Sequence, residues 1–381
     1  MMATAHVEED SEVPPPTRDP TYYISDGNTT LLVENTLFKV HRSMLVKDKS
    51  TFDSMFSLDA YTLNMMDDPS VANGSSSNEM MCEGESDENP IRLHDKAEEF
   101  RALAWALYSL PAEIAVSMTV QANDLQLIHL ARIAHKYQFR STEMWALSAL
   151  TSFHANTPPT GGVGVGGGSP SVQNLVQITE LSILCEHEPL RTAAVAKWNR
   201  LLGEGRAVAV AIGVAERLNL RKLLGLAYYS MMLKGREVWD SDPQLNARQR
   251  VRLLSGHYNL IKLCEDLPAC PPRLMHDHAC VRKGKCKNAF AGLWRVVLTS
   301  KEGGLVGQVM KLQSADLLAR VMLAESIIRA FVEGNIPQLD LSAESGGGEM
   351  HEKCLGIALS AAQAKVKEVQ DNLVEWFSDV V

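Results

Sequence analysis

The chain contains no apolar run close to the ~20 residues that a bilayer span requires. It also lacks a secretory opening: "MMATAHVEEDSEVPPP" is acidic and proline-rich, not basic and then apolar. An intracellular protein is expected, with its seven cysteines present as reduced thiols or metal ligands. No G-x-x-x-x-G-K-[ST] occurs, which excludes a P-loop, and no G-x-S-x-G, which excludes the hydrolase elbow. No cysteine pair has the C-x2–4-C spacing of a zinc knuckle. Aromatic residues make up only 6% of the 381 residues. With abundant leucine and alanine, that favours helix over strand.

The net charge of −9 is unevenly spread. Residues 1–20 sum to −4 and residues 65–90 to −7, leaving about +2 for all the rest. The part expected to fold is therefore near neutral, which does not suit a nucleic-acid binder. Residues 1–20 read as a disordered acidic tail. Residues 60–90 are acidic, rich in Ser, Asn and Gly, and without period, so they read as a disordered insertion.

Ordered patterns lie between these segments. "TTLLVENTLFKV" (29–40) reads as two strands around a turn at Glu34-Asn35. "HRSMLVKDKSTFDSMF" suggests two short helices, the second capped by Ser50 or Asp48. Ile91 and Leu93 mark a further strand, and Asp95 with Glu98 has the spacing of a capping box. Phe100, Leu103, Ala104, Leu107 and Tyr108 then form one helical face. From residue 172 the pattern is almost wholly helical. Near the end, Leu355, Leu359, Ala362, Val366, Val369, Leu373 and Trp376 step by 4 and 3, a heptad stripe suited to packing inside the chain or between chains.

Gly162, Gly164 and Gly167 match G-x-G-x-x-G within "TGGVGVGGGSP". A dinucleotide fingerprint must follow a strand and open a helix. Here a helical pattern precedes the glycines and Pro170 follows them, so residues 156–171 read as a linker. The expected organisation is a first domain at 21–155, a helical domain at 172–340, a hinge at 341–349 and an amphipathic helix at 350–381.

Phe38 with His41, then Ser50, Phe52, Met55 and Phe56, then "PIRLHDKAEEFRALAWALYS", then Ala134, Lys136 and Tyr137 resemble the landmarks of a BTB/POZ domain over about residues 22–153. The version with "DGN" ahead of the first strand is similar to BTB proteins expanded in mushroom-forming fungi. The resemblance implies an α+β first domain, a small sheet clustered with helices, followed by a mainly α-helical region. It also implies a protein-interaction module and not an enzyme. Other proteins, a second copy of the chain, or a cullin are its implied partners. Asp26 and Arg42 are approximate counterparts of a charged pair in many such domains.

"CEDLPACPPRLMHDHACVRKGKCKNAF" is the most chemical-looking stretch. Cys270, His276 or His278, Cys280 and Cys286 offer four candidate zinc ligands. Their C-x9-C-x5-C spacing instead favours free thiols on a connection between helices, with a Cys280–Cys286 redox pair as a third reading. No metal, cofactor or catalytic residue is therefore assigned. His41 is read as closing the start of a helix by hydrogen bonding. The exposed-looking cations Arg282, Lys283, Lys285 and Lys287 read as a solvated loop. Three functional readings follow: an interaction adaptor or oligomerisation scaffold, a substrate adaptor for a cullin-type ubiquitin ligase, and a zinc-containing transcription regulator.

Overall fold

A computed structural model describes residues 14–57, 83–119, 121–156, 171–300, 306–335 and 350–378. The chain divides into two compact units, Met1–Ala194 and Val195–Val381. No helix among the described residues is long and apolar enough to cross a membrane.

The first unit holds one mixed sheet in the order β1-β3-β2-β4. Its strands are β1 (Thr17–Tyr23), β2 (Thr29–Val33), β3 (Thr36–Val40) and β4 (Ile91–Leu93). β2 and β3 are the expected hairpin, with Leu31 opposite Phe38 and Glu34 turning the chain at φ 53°. β1 and β4 run parallel to β3 and β2, on the two edges. The helices are α1 (Arg42–Leu45), α2 (51–57), α3 (Ala97–Tyr108), α4 (Pro111–Val116), α5 (Asp124–Lys136), α6 (Arg140–Asn156) and α7 (Val172–Leu184). Phe38 and Phe100, both fully buried, join sheet to helix with ring centroids 4.8 Å apart.

Several expectations change. The acidic tail was drawn to residue 20, but Thr17–Pro20 lie in β1. Their charges are matched from far along the chain. Arg18 donates to Asp87 at 2.7 Å, and Arg101 donates to the buried Asp19 at 2.6 Å. The expected insertion (60–90) is likewise ordered from residue 83, where Thr30 N–H donates to the Gly84 carbonyl; residues 58–82 lie outside the described part. Of the two expected caps of α2, Ser50 stands directly before residue 51 in extended backbone, and Asp48 stands two residues further back. Ser50 donates to the Leu45 carbonyl, and Asp48 accepts from Ser141 in the first turn of α6. Asp95 caps nothing. It accepts from Tyr137 at 2.6 Å and from Lys136, which holds the end of α5 to the segment before α3.

The glycine-rich stretch (157–170) and the expected hinge (341–349) lie outside the described residues. The first unit, however, continues past the expected linker. α7 packs on α5, and Asn174 donates to Asp124 at 3.0 Å. The division between units falls inside α8 (Glu188–Gly203).

The second unit is helical among its described residues, in keeping with the pattern after 172. It comprises α9 (Val208–Arg217), α10 (Arg221–Leu233), α11 (Arg236–Ser241), α12 (Ala247–Asp266), α13 (Lys283–Thr299), α14 (Leu317–Val332) and α15 (Glu352–Asp371), with 3-10 turns at Leu267–Ala269, Val306–Lys311 and Leu373–Phe377. α12 begins with a reciprocal capping box between Asn246 and Gln249. Glu216 on α9 then ties three helices together. It accepts from Tyr228 (2.6 Å), Arg252 (2.6 Å) and Gln249 (2.7 Å).

α15 packs within the chain, against α14, but of the expected stripe Leu355, Leu359, Val366 and Trp376 are only half-buried. Its buried line is Cys354, Ala358, Ala362 and Val369, one residue ahead of the stripe at its start. The helix ends at Asp371, so Leu373 and Phe377 enter the core from the 3-10 turn. Phe377 stacks on Tyr228 with ring centroids 5.4 Å apart.

Candidate metal centre

The connection from Cys270 to Arg282 carries two prolines and an aspartate turn, and these set where its side chains meet. Trp294 on α13 donates its indole N–H to the Leu267 carbonyl at 2.8 Å, which fixes the start of the connection. Asp277 accepts from the Ala279 N–H (2.9 Å) through its carboxylate, and its carbonyl accepts from Cys280 N–H (3.1 Å). The Ala279 N–H holds that carboxyl below its ordinary value against the opposing effect of burial. The turn buries Cys280, keeps His276 half-buried and leaves His278 exposed. Cys286 sits in the first turn of α13, with its N–H bonded to the Arg282 carbonyl.

Three of the four expected ligands come together: His276, Cys280 and Cys286. Cys270 is exposed and stands apart. Its place is taken by Cys354, in the first turn of α15, where its N–H is bonded to the His351 carbonyl. The ligand atoms of His276, Cys280, Cys286 and Cys354 all lie within 4.8 Å of one another. Cys280 Sγ is 3.6 Å from Cys286 Sγ, and Cys354 Sγ is 3.9 Å from His276 Nδ1. The three sulfurs are almost fully buried: the cysteines are 3%, 1% and 0% exposed. The His351 N–H donates to Cys286 Sγ at 3.3 Å.

Sequence reasoning missed Cys354 because it lies outside any local spacing. Its one signal was the register of α15, where position 354 falls on the buried line. Arg282, Lys283, Lys285 and Lys287 are exposed, as expected, but they do not form a loop: Arg282 is the N-cap of α13 and the three lysines lie in its opening turns.

A second cluster brings together His135 (α5), Glu143 (α6) and Cys185, which caps α7. It has the residue types of a cysteine nucleophile, but the arrangement is wrong for one. His135 Nδ1 lies 2.8 Å from Glu143, and the Cys185 thiol also bonds to Glu143. Burial and then that carboxylate push the Cys185 thiol up to about 12. A nucleophilic cysteine requires the opposite shift. The three groups satisfy one another and tie α5, α6 and the end of α7.

His41 does not close α1 with its ring, as no side-chain bond caps that helix. Its Nδ1 lies 3.0 Å from the Tyr108 hydroxyl, which also accepts from the His41 N–H at 2.8 Å. Asp26 stands 3.5 Å from His41 Nε2. Arg42 turns away from that pair, donating to the Phe56 carbonyl at 2.8 Å and lying over the Phe56 ring. No protein-family model matches the chain, and neither the curated proteins nor the solved structures give a match.

Proposed function

We propose that the chain is a non-catalytic protein-interaction scaffold of BTB type. The observation that carries this reading is the surface left by α4. Its sequence, PAEIAV, is largely apolar, yet it buries no residue within the chain. Leu110 before it is 66% exposed, and Val116 and Met118 at its far end are 49% and 46% exposed. Large apolar side chains grouped on one surface element are typical of a binding face.

The motif residues behind the BTB resemblance add support, because they act as structural pins. His41 meets Tyr108, Phe52 stacks on Tyr137 at 4.5 Å, and Tyr137 and Lys136 both hold Asp95. Used this way, they build a frame that presents helices. The partner is another protein, with a second copy or a cullin as specific cases.

Leu110→Asp combined with Val116→Asp tests the reading. Both sites are exposed, so the fold should change by less than about 0.5 kcal/mol. Quantitative affinity capture from the native cell is expected to show a distinct set of proteins lost by the variant, and light scattering shows whether self-association is lost with it. Partner sets that are the same for wild type and variant would contradict the proposal.

A further inference from the structure

We propose that His276, Cys280, Cys286 and Cys354 form a four-coordinate structural zinc site that clips the start of α15 to the connection before α13. The inference is independent of the interaction reading. It rests on three observations.

The first is convergence. The four side chains come from the connection, from α13 and from α15, and Cys354 lies 68 residues beyond Cys286. Loop chemistry or helix periodicity explains any one of these positions, but not their meeting at one point. The second is size. Zinc bonds of ~2.3 Å to sulfur and ~2.0 Å to nitrogen give a tetrahedron with edges of roughly 3.5–3.8 Å. The observed 3.6 Å between two sulfurs is an edge of that kind, the 3.9 Å between sulfur and imidazole is a few tenths of an ångström longer, and the remaining pairs lie within 4.8 Å. The third is chemistry. Three buried thiols and an imidazole are soft and borderline ligands suited to zinc, and four ligands with no open position mark a structural site.

Binding replaces three S–H bonds by three Zn–S bonds and adds one Zn–N bond. The three thiol protons pass to solvent. The centre then carries one net negative charge. Arg282, Lys283, Lys285 and Lys287, on the turns that hold Cys286, offset that charge. Such cations would otherwise oppose the dipole at the N-terminus of α13.

The test uses the whole 381-residue chain without a tag, purified in reductant and without chelator. Elemental analysis is expected to find about one zinc per chain. Exchange for cobalt(II) is expected to give the visible bands of tetrahedral cobalt together with thiolate charge transfer. Cys286→Ser and Cys354→Ser are each expected to lower bound metal at least about fivefold. Cys270→Ser is expected to leave it unchanged. A wild-type chain that holds no zinc and takes up no cobalt overturns the proposal. So does a Cys280–Cys286 disulfide in its place, or full occupancy in Cys354→Ser. The cobalt spectrum is read on the wild-type chain, so it decides the matter even where a serine variant fails to fold.

Discussion

Gly256→Ala is expected to destabilise the second unit by about 2–4 kcal/mol. The sign is the informative part. In the middle of an ordinary helix the same change stabilises by about 1 kcal/mol, because glycine is the poorer helix former. Here a Cβ on Gly256 would stand 2.1 Å from two carbons of the Phe377 ring. That ring is 2% exposed and stacked on Tyr228, so it has no free side to move into. Either Phe377 leaves its site, losing its burial, or α12 shifts. Gly225 receives the same 3-10 turn, and a Cβ there would stand 2.5 Å from the Val374 backbone nitrogen. Backbone cannot rotate aside as a ring can, so Gly225→Ala is expected to cost as much or more. Hydrogen exchange read on peptides from 350–378 checks both variants. Faster exchange there is expected, and for Gly256→Ala, Phe377→Leu should restore part of the protection. Unchanged or slower exchange would mean that the turn does not dock as described.

The second large effect is at Asp19. Asp19→Ala is expected to lower the stability of the first unit by about 2–3 kcal/mol. The buried carboxylate accepts from the N–H groups of Thr21 (3.0 Å) and Tyr22 (2.8 Å) and from Arg101 (2.6 Å). Burial alone would push its carboxyl up. The Tyr22 N–H, Arg101 and the Thr21 N–H outweigh that and hold it below the ordinary carboxylate value. Arg101 is 41% exposed and regains water when the partner is lost, which keeps the cost below that of a fully buried pair. A carboxyl with a lowered folded value contributes its full stability above the unfolded value, near pH 3.9, and loses it as pH falls through the folded value. The gap between wild type and Asp19→Ala should therefore stay constant from pH 7 to about pH 5 and narrow below about pH 4. Denaturation by urea across that range, with hydrogen exchange to assign the loss to β1 and α3, measures it. A gap that widens on acidification would contradict the geometry.

How well the sequence predicted each element depended on the distance between its partners. The hairpin at 29–40, the strand at 91–93 and the face of α3 follow from local periodicity, which burial of one face makes visible. β1 did not, because Arg18 and Asp19 look like tail charges until Asp87 and Arg101 are placed beside them. Asp95 has the spacing of a cap but serves Tyr137 and Lys136, more than 40 residues away. The cysteine cluster shows the same limit. His276, Cys280 and Cys286 were legible because eleven residues hold all three. Cys354 was not, since the packing of α15 and not any motif brings it in. Cys270, the fourth candidate by spacing, is turned out to solvent.

The central claim is that three side chains of one short stretch and Cys354, 68 residues beyond it, make one metal centre. Native mass spectrometry of the untagged chain tests it most directly. The account predicts a chain whose neutral mass exceeds its sequence mass by one zinc less two hydrogens, with zinc lost together with compactness on acidification. A native chain at its bare sequence mass, or two hydrogens below it, would contradict the account.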